Sequence, residues 1–80
     1  MKDQQLSQLR TFLSGPIFAQ RKDSIRQTGF PLGIRTSDQL PWQITREEAE
    51  QVLHEFAPDL SLVIEGANMV IFSHQGQSPL

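Results

Sequence analysis

Leu6, Leu9 and Leu13, with Phe12 beside them, recur three to four positions apart through an otherwise polar opening segment. That spacing lines one stripe of a helix, and Asp3 is placed to cap its start. Ser14-Gly15-Pro16 ends it. Gly15 suits the left-handed position after a helix, and Pro16 has no backbone N–H with which to continue one. A proline can instead open the next helix, whose first turn needs no donor. A second helix over 16–28 would turn Ile17, Phe18 and Ile25 inward and stop at Gly29. Phe30, Leu32 and Ile34 then alternate with Pro31, Gly33 and Arg35, the pattern of a short extended segment or edge strand. The stretch TSDQL can nucleate a single helical turn, which Pro41 cuts short at Leu40.

The clearest helical pattern follows in ITREEAEQVLHEFAPDL, residues 44–60. Thr45 and Glu48 have the spacing of a capping box, and Ile44 with Ala49 that of a hydrophobic staple. Ala49, Val52, Leu53, Phe56 and Ala57 form the buried stripe of a surface helix, and Pro58 ends it. LSLVIEGANMVIFSH then reads as a β-hairpin with a type II′ turn over Gly66-Ala67. Its register pairs Ile64 with Met69, Val63 with Val70 and Leu62 with Ile71. One face carries Leu60, Leu62, Ile64, Met69 and Ile71, and the opposite face carries Val63, Val70 and Phe72. A hairpin apolar on both faces calls for a further element or chain against its second face.

These elements make an α+β fold: two N-terminal helices, a short extended segment, a capped third helix and a C-terminal β-hairpin. Residues 1–75 form one small domain and 76–80 a disordered tail. From Phe30 onward the order of elements resembles the second half of a winged helix. The resemblance implies a nucleic-acid-binding regulator. Two departures are visible: Pro41 shortens the element before the third helix, and Glu47, Glu50 and Glu55 stand where a recognition helix would meet phosphates.

Eighty residues leave room for a single core. With no cysteine there is no disulfide framework, thiolate metal site or cysteine nucleophile. The opening stretch lacks the continuous apolar run of a signal peptide or spanning helix, so a soluble cytoplasmic protein without membrane contact is expected. The net charge of −2 hides a sharp split. Residues 1–46 hold seven basic and three acidic side chains, whereas 47–80 hold six acidic ones and no Lys or Arg. Such polarity bears on association rather than on fold.

Glu47, Glu50 and His54 follow one side of the third helix. No further metal ligand is evident, so a solvated or partner-facing side is the simpler reading. The serines lie in no nucleophile motif, and the glycines form no phosphate loop. No enzyme, metal or cofactor is therefore expected. Arg21, Lys22 and Arg26, with Arg35 further on, are the candidate phosphate contacts, although a DNA-binding domain usually carries more positive charge. Trp42 is either a lid on the core or an exposed interface anchor. Two functions stand at this point. The favoured one is a protein–protein interaction module, such as a regulator, adaptor, inhibitor or assembly factor, that contacts another protein or itself. Its surfaces would be Glu47, Glu50 and His54 with Trp42, and Val63, Val70 and Phe72. The alternative binds nucleic acid through the basic N-terminal half.

Overall fold

The computed structural model describes residues 2–73; the expected tail at 76–80 lies outside them. Three helices precede or interrupt three strands: α1 (Lys2–Leu13), α2 (Pro16–Thr28), β1 (Leu32–Arg35), α3 (Arg46–Phe56), β2 (Leu60–Glu65) and β3 (Asn68–Ser73). The α+β architecture and its element order match the hydrophobic patterning. The strands form one antiparallel sheet in the order β1-β3-β2.

The ends of the helices follow from local chemistry. Thr45 caps α3 with both halves of the capping box: the Glu48 N–H donates to Thr45 Oγ1 at 3.1 Å and the Thr45 N–H donates to Glu48 Oε1 at 2.9 Å. Gly29, at φ 79°, takes the left-handed position after α2, and its N–H donates to the Ile25 carbonyl. Three local expectations need correction. Asp3 lies inside the first turn of α1, because the helix already includes Lys2. Gly15 is extended at φ −88° and ψ 171°, since it serves as the N-cap of α2 rather than a left-handed end to α1. Ile17 is 61% exposed, because α2 makes its inward contacts through Phe18 and Ile25, two turns apart on the adjoining stripe.

The hairpin has the expected register, with Ile64 opposite Met69, Val63 opposite Val70 and Leu62 opposite Ile71. Gly66 has φ 61° while Ala67 does not enter positive φ, which defines the type II′ turn. β1 lies against β3 with Ile34 opposite Met69 and Leu32 opposite Ile71. Segment 36–40 contains no helix. Instead, the Gln39 N–H donates to the Thr36 carbonyl, Gln39 adopts φ 63°, and the chain turns there. The short helix that a winged-helix order would place before α3 is therefore missing.

Alternation sorts the sheet into two faces. Leu60, Leu62, Met69 and Ile71 are completely buried beneath the helices, along with Leu9, Phe18 and Leu53. Phe12 and Phe18 join α1 to α2 with ring centroids 6.2 Å apart, in the tilted geometry that aromatic pairs favour. The result is a layer of helices on one face of a sheet around one apolar cluster.

Candidate interaction surfaces

The two-residue turn makes Glu65 and Asn68 a hydrogen-bonded pair, so the backbone groups of Leu60, Leu62 and Ile64 point away from β3. β2 is thus an edge strand, and α3 covers part of it. His54 Nε2–H donates to the Leu60 carbonyl at 3.0 Å, which fixes its tautomer. The Leu62 N–H donates to Glu50 Oε2 at 3.4 Å. Glu50 also lies 3.7 Å from Arg46 Nε. Glu50 and His54 therefore shield an edge that would otherwise template pairing with another chain. Of the three side chains that the sequence groups on this helix, Glu47 alone points into solvent with no bonding partner among the described residues.

The split of charge is largely satisfied within the fold. Arg26 donates from Nε and an Nη to the two oxygens of Asp59 at 2.7 and 2.8 Å, in the fork geometry suited to a carboxylate. This hydrogen bonding holds the Asp59 carboxyl below its ordinary range. Arg10 grips Glu55 in the same bidentate way and lowers its pKa. Lys2 lies 2.7 Å from Glu48 and, with the Thr45 backbone N–H, lowers that carboxyl too. Together with the looser Arg46–Glu50 pair, these three bridges tie the basic half to the acidic half among the described residues. Of the candidate basic group, Arg26 is committed to Asp59 (and more loosely to Asp23), while Arg21 and Lys22 have no ion-pair partner among the described residues. Arg35 lies on a different element and donates to Asn68 Oδ1 at 3.1 Å. The structure does not gather these four side chains into one site.

Trp42 is a core residue, 7% exposed, so the reading of an exposed anchor is set aside. Its backbone N–H donates to the Gly66 carbonyl at 2.9 Å, and the Thr36 N–H donates to Ala67, so the loop between β1 and α3 is stitched to the hairpin turn. A second clasp comes from Gln5, a buried amide on α1. Its Nε2 donates to the Pro41 carbonyl at 3.1 Å and its Oε1 accepts from the Gln43 N–H. The spacing that could have found it is helical: Gln5 falls four residues before Leu9, on the buried stripe, whereas Gln4 and Gln8 fall off it.

The other face of the sheet is different. Val63 and Val70 sit directly opposite each other and are only half-buried, as is Phe72 on the same face. Neither valine belongs to the core cluster or to the partly buried side chains packed against it. Along the free side of β1, a groove of about 710 Å³ separates the strand from α1.

Among the described residues, no cluster of His, Asp and Glu has the makings of a metal site, and no helix is long and apolar enough to cross a membrane. Comparisons with protein-family models, curated proteins and solved structures find no match to this chain.

Proposed function

We propose that this chain is a small, non-enzymatic, cytoplasmic protein–protein interaction module that docks through the outer face of its sheet. The observation that carries the reading is the Val63–Val70 cross-strand pair, half-buried and outside the core cluster. Closing such a strip against another protein removes apolar surface from water at about 25 cal/mol per Å². Glu47, free on the outer side of α3, supplies a charge that would act on the rate of encounter. The nucleic-acid reading has less behind it. Three of the seven basic residues are spent on bridges to the acidic half, and Arg46 lies near Glu50.

Sedimentation equilibrium over a range of concentrations, beside affinity capture from native lysate, tests the proposal. Val63→Thr with Val70→Thr keeps the β-branched shape while adding hydroxyls. The double variant should release the second copy or captured partner without moving the urea midpoint of the free protein. A strictly monomeric chain with no captured partner would count against the reading. Duplex binding with a steep salt dependence, near a slope of about −0.9 per phosphate contacted, would favour the nucleic-acid alternative.

A further inference from the structure

From the groove between α1 and β1 we infer a second site, independent of the outer sheet face, that takes an extended peptide as a fourth strand. The phase of the ladder sets the chemistry. The Thr36 N–H bonds to Ala67, its register partner, so even-numbered residues of β1 face β3 and odd-numbered ones face away. The N–H and C=O of Gly33 and the N–H of Arg35 therefore point along the open edge and have no bond among the described residues. The Arg35 carbonyl already shows what the edge accepts: Gln8 Nε2 donates to it at 3.3 Å. Opposite this edge, Gln4, Ser7, Gln8 and Thr11 present amides and hydroxyls from one stripe of α1. A backbone with alternating donors and acceptors matches the strand, and those polar side chains match its far side.

Two features choose the occupant. Arg35 has no acidic partner among the described residues, so the peptide carries a carboxylate, as Asp, Glu or a free C-terminus, at the Arg35 end of the groove. Gly33 has nothing within 4 Å of where a Cβ would stand on the outer face, so no side chain overhangs an added strand at that point. A second copy of this domain does not suit the site. Its own β1 is flanked by its own α1, and two helices would compete for one groove.

The test is selection of a phage-displayed random-peptide library on the immobilised protein, followed by synthesis of the enriched peptides. Gly33→Pro removes an edge donor but no bond to β3, and an edge strand is among the few strand settings that tolerate proline. Should that variant fold poorly, Ser7→Trp fills the groove from an exposed helix position. Enriched peptides should carry a carboxylate at a constant place, shift the Gly33 and Arg35 amide resonances, and fail to bind either variant. Arg35→Gln should weaken them at least about tenfold, as loss of a charge-assisted bond implies. Selection that enriches nothing, or peptides that bind wild type and both variants alike, would overturn the inference. So would peptides whose binding survives N-methylation of alternate backbone amides.

Discussion

Gln5 and Thr45 do similar work with different visibility. Each uses one polar side chain to satisfy backbone groups that the fold would otherwise leave unpaired. Thr45→Ala should cost about 1 kcal/mol, the ordinary worth of an N-cap, read as a lower urea midpoint with unchanged slope. Gln5→Ala should cost more, about 1–3 kcal/mol. It strips the partners from the Pro41 carbonyl and the Gln43 N–H in a partly buried place. A Gln5→Ala midpoint equal to wild type would show that solvent replaces both bonds. The cap was legible in the sequence because donor and acceptor are three residues apart and the motif is local. The clasp was not, because its partners lie 36 and 38 residues away. The stripe through Leu9 and Leu13 shows that Gln5 turns inward, but it gives no sign of what the amide would bond there.

At the scale of elements, the same division between local and distant holds. α3 and the hairpin announce themselves through Thr45, Pro58 and Gly66, whose effects reach only a few residues. The pairing of β1 with β3 needs the whole chain, as does the covering of the β2 edge by α3. Glu50 and His54 consequently look in the sequence like a solvated face, and only the register reveals that they protect a strand. Glu50→Ala should quicken hydrogen exchange at the Leu62 amide roughly tenfold, which equals losing about 1.4 kcal/mol of protection and suits a long bond to a charged acceptor. Exchange at the Val63 amide, which points toward β3, should hardly change. Equal acceleration at both positions would mean that the variant loosens the entire strand rather than exposing its edge.

Across the whole molecule, the bridges from Lys2, Arg10 and Arg26 convert a polarised sequence into an internally matched one, and they make stability depend on pH. The carboxyls of Glu48, Glu55 and Asp59 are depressed in the fold, so the unfolded chain binds protons more readily in acid. Stability is therefore fully present above the ordinary carboxylate range near about 4 and is lost as the pH falls through the depressed values. Urea midpoints measured from neutral pH downward should follow that fall. Arg26→Gln should cost about 1 kcal/mol at neutral pH, given its bidentate but half-exposed pair, and should cost nothing once Asp59 is protonated. A cost that persists in acid would assign the effect to packing of the arginine stem. The order β1-β3-β2 carries a further consequence, for synthesis. The strand that both others need is the last to be made. While the chain grows, β1 and β2 each wait with an unsatisfied flank, and the helices have no finished floor to rest on. The ribosome must deliver residues 68–73 before any part of the sheet can close, so the domain folds in one step, late, or remains an open template that any passing strand could join.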